Sequence, residues 1–471
     1  MADSLKFGTS GLRGLAVDLV GAPSARYAAA FLRYLETRGA LRQGAEVLVG
    51  RDLRNSSPPI AGSVIGAVGG AGYTALDCGE LPTPALALEA ARRGAPAIMV
   101  TGSHIPADRN GLKFYVAAGE IGKADEAGIL ESLESVGAAP QSAGSGRPTP
   151  EARDHYLERY QAVFPNDGLR GLRVGVFQHS SVARDDLVTV LEALGATAVP
   201  LGRSDHFVPI DTEALSASDA AQARQWVEQH RLDALVSTDG DADRPLVADE
   251  AGIFVRGDVL GILTAQFLGA DAVVTPVTSN SAIEGLGFKS VVRTRVGSPY
   301  VIAGMDEAAR QGAAVVVGFE ANGGVLLGAD AKIAGRQIGA LPTRDAVLPI
   351  LAVLFAARQR SLSVGGLVAT LPARVARSDR LEHVPQERSA ALIASLGDPS
   401  FAARYFAEAG SIEAVSDVDG LRFVLASGDV VHYRPSGNAP ELRCYTEAAT
   451  AERADALLGW GLAAAEKIVR A

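Results

Sequence analysis

The sequence predicts an α/β protein of four domains, in which three related α/β units with mixed sheets and a C-terminal α+β cap surround a central cleft. Three observations support this fold class. A pattern of apolar strand, loop, helix and second strand begins three times, at Ala45, Leu172 and Asp271. A polar loop follows a strand in each unit, and open α/β sheets bind ligands beyond the carboxyl ends of their strands. The last hundred or so residues lack the repeat and mix strand signals with helical segments.

The domain boundaries follow changes in composition. The stretch 137–150 is rich in Gly, Ala, Ser and Pro and is predicted to be the first linker. Further boundaries are expected near Glu250 and in 362–372. The predicted domains and the loops that they carry are therefore 1–144 with a serine loop, 150–252 with an acidic loop, 253–368 with a glutamate loop, and 369–471 with an arginine loop.

Composition limits the possible partners and compartments. The 471 residues carry a net charge of −10, which argues against nucleic acid or an anionic membrane as a partner. Cys78 and Cys444 are too few for a disulfide framework and fit a reducing compartment. The amino terminus shows no signal peptide, and the apolar run 346–357 is too short to span a bilayer. We expect a cytoplasmic protein, whose oligomeric state the sequence leaves open.

The acidic loop carries Asp239, Asp241 and Asp243 at alternate positions directly after an apolar strand. Carboxylates so close together repel one another, and a hard divalent cation with oxygen ligands would keep all three ionised. A solvated acidic turn is the alternative. An EF-hand is disfavoured because Arg244 takes the sixth loop position, where that motif needs glycine. The pattern favours Mg²⁺ beside an arginine, an arrangement suited to phosphate chemistry.

The serine loop follows the apolar strand Ala97–Val100. Glycine before Ser103 and proline shortly after it bend the backbone, so that the hydroxyl can project from the strand end. His104 is expected to point away, because neighbouring side chains on an extended chain alternate, and no Ser-His-Asp triad is evident. Such a serine can still carry a phosphoryl group, with Lys113 as the nearest cation in sequence. An ordinary turn serine remains the alternative.

Two further loops have the composition of anion-binding sites. Arg434–Pro440 combines an arginine with a hydroxyl, an amide and a glycine, and Lys6–Gly14 places Arg13 between glycines. Either could instead be a simple turn. Together they suggest a substrate that bears phosphate at either of two positions.

In this combination the chain resembles the α-D-phosphohexomutases, the phosphomannomutase and phosphoglucomutase family, over essentially its whole length. The matching motifs occur in the family's order: Phe7–Gly14, Thr101–His104 with Asn110–Lys113, Asp239–Arg244, the loop at Glu320, and Arg434–Asn438. The resemblance implies Ser103 as a phosphoserine that binds Mg²⁺ together with the three aspartates, and a hexose 1,6-bisphosphate activator. It further implies a catalytic set of Ser103, His104, Arg13, Lys113 and Arg244, and a substrate-binding set of Glu320, Asn322, Arg295, Arg434, Ser436, Gly437 and Asn438.

The chain departs from the family pattern in the sugar contacts. Many members have Ser-Gly-His where this chain reads Asn322-Gly323-Gly324, so we expect Asn322 to replace the serine hydroxyl. Arg295 stands where lysine is frequent, and Ile105 stands where asparagine is frequent.

The resemblance implies a Mg²⁺-dependent mutase that interconverts mannose 6-phosphate and mannose 1-phosphate, and glucose phosphates as well. Three alternatives stay open. The main activity could be that of a phosphoglucomutase. The same serine and metal could serve a bisphosphate synthase or phosphohydrolase. A silent sugar-phosphate binding protein would leave the retained serine and aspartates unexplained.

Overall fold

The computed structural model describes residues 4–8, 11–137, 144–436 and 440–470. They form two compact units. The larger unit consists of Met1–Val273 and Gly297–Val368, and the smaller unit of Val274–Val296 and Ala369–Ala471. The bounds of the four domains that the sequence predicts stay predictions.

The larger unit begins with a mixed eight-stranded sheet. Its elements are β1 (Lys6–Phe7), β2 (Leu12–Leu15), α1 (Ala16–Leu19), α2 (Ala22–Thr37), β3 (Glu46–Arg51), α3 (Ser57–Gly70), β4 (Thr74–Glu80), α4 (Thr83–Arg93), β5 (Ala97–Val100), β6 (Arg109–Val116), β7 (Gly119–Glu120), α5 (Lys123–Ser135) and β8 (Arg147–Pro148). The strand order is β1-β2-β6-β5-β3-β4-β8, with β7 beside β6. Strands β4 and β5 run parallel to β3, whereas β6 is antiparallel to β5 and pairs Lys113 with Met99.

A four-stranded sheet follows in the larger unit. Its elements are α6 (Glu151–Gln161), β9 (Arg173–His179), α7 (Arg184–Ala193), β10 (Thr197–Arg203), α8 (Ala217–His230), β11 (Ala234–Thr238), β12 (Pro245–Ala248) and α9 (Gly257–Phe267). Strands β10, β9 and β11 are parallel, and β12 returns antiparallel to β11. The acidic residues therefore occupy the hairpin turn between β11 and β12.

The next segment contributes to both units. Its elements are β13 (Ala272–Pro276), a 3₁₀ helix (Ser281–Gly285), β14 (Ser290–Thr294), α10 (Ser298–Arg310), β15 (Val316–Phe319), β16 (Val325–Leu327), β17 (Ala331–Ile333), β18 (Arg336–Ile338), β19 (Leu341–Asp345), α11 (Val347–Gln359) and α12 (Val364–Val368). Strands β15, β16 and β19 are antiparallel neighbours in the larger unit. Most of α11 is buried, so the apolar run 346–357 is part of the core.

The rest of the smaller unit is an antiparallel five-stranded sheet with three helices. Its elements are β20 (Val375–Glu382), α13 (Gln386–Leu396), α14 (Pro399–Tyr405), β21 (Ile412–Ser416), β22 (Leu421–Leu425), β23 (Val430–Pro435), β24 (Glu441–Ala448) and α15 (Ala451–Val469). Phe406, Phe423 and Leu457 belong to its apolar core. The predicted α+β character of this segment is confirmed.

All three predicted repeats begin with a strand, at β3, β9 and β13. In the third repeat, however, the predicted helix is only the five-residue 3₁₀ segment Ser281–Gly285. The predicted linker 137–150 lies partly outside the described residues, since 138–143 are not described. Within the described chain, each helix is too short or too polar to cross a membrane.

Candidate active site

Ser103 lies in the loop that follows β5, and it is itself buried, with 1% of its surface exposed. Its backbone has φ 52°, in the left-handed region that non-glycine residues rarely adopt. Its Oγ donates a hydrogen bond of 2.5 Å to Oδ2 of Asp239, at the end of β11. The strand ends therefore bring the predicted serine and acidic loops together, as the fold class requires.

The position of His104 differs from the prediction. Its Nδ1 lies 3.1 Å from Ser103 Oγ. The expected alternation of side chains fails because Ser103 is not extended. Burial lowers the pKa of His104 to about 2, and the charge of Arg244 adds to the effect. The imidazole is therefore neutral and a weak proton acceptor.

Arg54 holds the serine loop in its unusual conformation. Its Nη2 donates to the main-chain oxygens of Ser103 (3.0 Å) and Ile105 (2.6 Å). Its Nη1 donates to those of Pro106 (2.7 Å) and Arg109 (3.1 Å). Because the Arg54 side chain is only 1% exposed, these bonds give the four main-chain oxygens a partner inside the protein.

The buried carboxylate of Asp52 supports the same loop from the other side. It accepts hydrogen bonds from Thr101 Oγ1 (2.9 Å) and the Gly102 amide (3.1 Å), and it pairs with Arg54 Nε at 3.2 Å. The Arg54 guanidinium also stacks over the ring of Phe207, 3.8 Å from the centroid. The serine loop is thus held by two residues that follow β3, and one of them, Arg54, packs against Phe207.

The three aspartates of the acidic loop form a buried cluster. One oxygen from each lies within 4.8 Å of the other two. Oδ1 of Asp241 and Oδ1 of Asp243 accept no hydrogen bond from the described residues. Burial raises the pKa of Asp239 well above its ordinary value, and the charges of Asp241 and Asp243 add to the effect. Unpartnered buried carboxylate oxygens are the donor set that a hard divalent cation requires, so these residues fit Mg²⁺.

Protein cations neutralise part of this cluster, which the sequence argument did not foresee. Lys113 Nζ lies 2.6 Å from Oδ2 of both Asp241 and Asp243. Burial would lower the pKa of Lys113, but the two carboxylates outweigh burial and hold it above its ordinary value. Thr83 Oγ1 donates to Oδ2 of Asp241 at 2.7 Å. These contacts occupy Oδ2 of Asp241 and Asp243, which we call the outer oxygens, and leave Oδ1 of both residues, the inner oxygens, available to a metal.

Arg344, in β19, links the acidic loop to the glutamate loop after β15. Its Nη2 lies 2.7 Å from Asp243 Oδ2, and its Nη1 lies 2.7 Å from Glu320 Oε2. Asn322 uses its Oδ1 to accept a hydrogen bond of 2.9 Å from the Gly324 amide. Both Glu320 and Asn322 are 5% exposed, so this loop belongs to the same buried polar cluster.

The remaining predicted cations of the larger unit flank the acidic loop. Arg244 lies 3.9 Å from Asp239 Oδ2 and 3.7 Å from Asp243 Oδ1, and its Nε makes no hydrogen bond to the described residues. Burial lowers the pKa of Arg13 to about 10, and Arg244 adds to the effect. Arg13 sits on β2 and pairs with Gly111 on the strand that carries Lys113.

The predicted residues of the smaller unit form a second polar cluster. Arg434 Nε donates to Asp419 Oδ2 at 2.6 Å, and the Val296 amide donates to the same oxygen at 3.0 Å. Arg295 Nε donates to the Val418 main-chain oxygen at 3.2 Å. Ser436 is buried and follows Arg434 by two residues. The predicted residues Gly437 and Asn438 lie outside the described residues.

Sequence reasoning missed five residues that hold the predicted ones in place: Asp52, Arg54, Thr83, Arg344 and Asp419. Asp52 and Arg54 follow β3, so the rule that polar residues after strands mark a site could have found them. Arg344 and Asp345 are two charged residues at the end of β19, shortly before the apolar helix α11, which is also a detectable signal. Thr83 contacts Asp241, which lies 158 residues later, and Asp419 contacts Arg434 across the strands of the smaller unit.

Four family models match the chain in sequence order. They describe phosphoglucomutase/phosphomannomutase alpha/beta/alpha domains I, II and III and the C-terminal domain. The matched residues are 4–139, 154–252, 256–375 and 374–458.

Individual relatives agree with these matches. A phosphomannomutase of Sinorhizobium fredii is 51% identical over 97% of this chain and 98% of its own length. A phosphomannomutase of Salmonella muenchen is 45% identical over 96% of this chain and 93% of its own. A crystal structure of a Burkholderia thailandensis phosphoglucomutase/phosphomannomutase family protein has the same fold, with TM-score 0.79 and 22% identity over 98% and 97% of the two chains. The predicted fold class and resemblance are confirmed: the chain belongs to the phosphoglucomutase/phosphomannomutase family.

Proposed function

We propose that this chain interconverts mannose 6-phosphate and mannose 1-phosphate, and that it also accepts glucose phosphates. Its family membership makes it a mutase, an isomerase that relocates a phosphoryl group. The two relatives at 51% and 45% identity are named phosphomannomutase, which favours mannose. The observation that carries the proposal is the 2.5 Å bond from Ser103 to Asp239 in a buried three-aspartate cluster.

We assign Asp239, Asp241, Asp243 and the phosphate of phosphorylated Ser103 as ligands of Mg²⁺. The unpartnered inner oxygens of two of these aspartates support the assignment. The bound cation would neutralise charge on the phosphoryl group during transfer. Lys113 keeps the outer oxygens of two aspartates occupied and so holds their carboxylates in one orientation.

The proposed reaction uses Ser103 as a phosphoryl carrier. The free hydroxyl of the sugar attacks the phosphorus, a P–O bond to the sugar forms, and the bond to Ser103 Oγ breaks. The hydroxyl proton passes to Oγ. The resulting hexose 1,6-bisphosphate turns end for end, and Ser103 takes the other phosphoryl group, which releases the isomer. Free hexose 1,6-bisphosphate is the activator in this scheme because it can phosphorylate Ser103 when that serine carries no phosphoryl group.

The charged residues around Ser103 have proposed roles in this transfer. Arg13, Lys113 and Arg244 supply fixed positive charge where the phosphoryl group carries negative charge. Arg13 and Lys113 also assist proton transfer. We include His104 in the catalytic set because its Nδ1 is 3.1 Å from the serine oxygen.

The remaining predicted residues are proposed to bind the substrate. Glu320 and Asn322 would contact sugar hydroxyls, which must be presented equivalently in both orientations of the intermediate. The phosphate that is not transferred would be bound in the smaller unit. The residues proposed to bind it or to lie around it are Arg295, Arg434, Ser436, Gly437 and Asn438. A guanidinium fork suits two phosphate oxygens. The cytoplasmic location stays a prediction, as does the absence of nucleic-acid and membrane partners.

One assay tests the proposal. The protein is incubated with Mg²⁺, mannose 1-phosphate and a trace of hexose 1,6-bisphosphate, and the products are followed by phosphorus NMR. Mannose 6-phosphate is expected. Accumulating inorganic phosphate would indicate a phosphohydrolase, accumulating bisphosphate a synthase, and an unchanged spectrum a binding protein. Parallel rates with glucose 1-phosphate decide whether mannose or glucose is the main substrate.

A further inference from the structure

Arg344 is buried between two carboxylates that belong to different loops. Its side chain is 6% exposed, and the side chains of Asp243 and Glu320 alone are 1% and 7% exposed. Nε and Nη2 both donate to Asp243 Oδ2, at 3.1 and 2.7 Å. Nη1 donates to Glu320 Oε2 at 2.7 Å and to Ser298 Oγ at 3.3 Å. The planar guanidinium therefore fixes the orientation of the Glu320 carboxylate relative to the acidic loop.

These contacts direct Arg344 toward protein groups and away from a substrate role of its own. A guanidinium has five N–H donors, and four of its bonds here end on Asp243, Glu320 and Ser298. Arg344 is therefore poorly placed to bind a phosphate directly. Any influence on the reaction has to pass through the carboxylates that it holds.

The glutamate loop leaves room for the Arg344 side chain. A Cβ added to Gly324 would lie 2.8 Å from Arg344 Cδ and 2.9 Å from its Cγ. It would also lie 2.6 Å from the main-chain oxygen of Asp243. A side chain at position 324, where many family members carry a histidine, would therefore clash with both the Asp243 main chain and the Arg344 side chain.

We propose that Arg344 is a positioning residue for sugar recognition. It holds Oε2 of Glu320 and so presents the other carboxylate oxygen to a sugar hydroxyl. This chain depends on that contact because position 324 carries no histidine. The inference rests on the proposed function, because it assigns the sugar contact to Glu320. A purely structural ion pair is the competing explanation, and it predicts loss of stability without a selective loss of substrate binding.

A double-mutant cycle in steady-state kinetics separates the two explanations. The variants are Arg344→Gln, Glu320→Gln and the combination, with mannose 1-phosphate as substrate. Each single change is expected to raise KM about tenfold, because a charge-assisted hydrogen bond is lost, with kcat altered less than about threefold. The double variant should be no worse than the poorer single variant, since both changes remove the same interaction.

Additive effects, close to a hundredfold in KM, would overturn the inference, as would a fall in kcat at unchanged KM. Arg344→Lys keeps the charge but reaches only one carboxylate, so a partial recovery of KM is expected. The matched control is Arg374→Gln, which removes a partly buried pairing with Asp429 in the smaller unit and should leave KM unchanged. If the unmodified protein forms no isomer, the proposed function fails. If it forms isomer but the cycle is additive, only this inference fails.

Discussion

Replacing Lys113 with methionine should make the stability of the protein strongly dependent on Mg²⁺. Lys113 Nζ lies 2.6 Å from both Asp241 and Asp243, and the three side chains are 3%, 0% and 1% exposed. Removing one partner of such a buried ion pair costs about 3–5 kcal/mol, because Asp241 loses its paired ammonium group in a poorly solvated site, whereas Asp243 keeps its pairing with Arg344. Methionine keeps similar volume and removes only the ammonium group.

A divalent cation can supply the missing positive charge. At about one hundred times its Kd, a ligand that binds only the folded state stabilises it by about 2.7 kcal/mol. The variant should therefore lose most stability in chelator and regain much of it with Mg²⁺. For a domain of about 150–250 residues, about 3 kcal/mol corresponds to a shift of about 6–12 °C in the melting midpoint, and the shift is smaller for a larger cooperative unit.

The assay is thermal unfolding of the parent and the variant, each in EDTA and in Mg²⁺ at matched ionic strength. Arg153→Met is the matched control, because Arg153 pairs with the buried Asp186 away from the acidic loop. The control should lose stability equally with and without Mg²⁺. If the Lys113 variant also shows equal losses in both conditions, Lys113 and a metal do not share the same carboxylates, and the metal assignment is refuted.

Three further predictions concern residues outside the acidic loop. Arg54→Lys should lower kcat about a hundredfold at nearly constant KM, because lysine cannot hold four carbonyl oxygens and Ser103 shifts; initial-rate kinetics test this, and a change confined to KM would contradict it. Asp419→Asn removes the charged acceptor that orients Arg434 and should raise KM about tenfold in the same assay, whereas a lower KM would mean that Asp419 competes with substrate. Burial raises the pKa of Asp186 to about 6. Asp186 therefore binds a proton more tightly in the folded protein than in the unfolded chain, so the free energy of unfolding should fall as pH rises from about 4 to about 6. Asp186→Asn should flatten that profile in urea titrations, and an unchanged slope would rule Asp186 out as its source.

The sequence predicted the site residues that lie in loops directly after strands. Ser103 and Asp239 each follow a short apolar strand, β5 in the eight-stranded sheet and β11 in the four-stranded sheet, and open α/β sheets bind ligands beyond the carboxyl ends of their strands. Their convergence was therefore predictable from strand signals and loop composition. The C-terminal α+β segment was predictable for the related reason that its pattern breaks the repeat.

The orientation of His104 could not be read in the same way. The prediction assumed an extended backbone, whereas Ser103 adopts φ 52°. That conformation is maintained by Arg54, which lies 49 residues earlier in the chain and binds the Ser103 carbonyl. Backbone strain that depends on so distant a contact leaves no local sequence signal.

The charge balance of the acidic loop was also beyond sequence reasoning. Crowded carboxylates were taken to require a metal, but Lys113 and Arg344 already pair with Asp243. These cations come from other strands, 130 and 101 residues away. Only the three-dimensional arrangement reveals that Oδ2 of each aspartate is bonded to another side chain of the protein. It also reveals that Oδ1 of Asp241 and Oδ1 of Asp243 accept no hydrogen bond from the described residues.

The central claim is that Ser103 carries the phosphoryl group, and isotope transfer tests it most directly. The parent and Ser103→Ala are incubated with Mg²⁺ and hexose 1,6-bisphosphate labelled with ³²P, and peptides are then mapped. Label is expected on the Ser103 peptide of the parent, and unlabelled mannose 1-phosphate should remove it at the rate of turnover. The alanine variant should take up no label and form no isomer. Isomer formation with the label on another residue, or with the alanine variant fully active, would contradict the account.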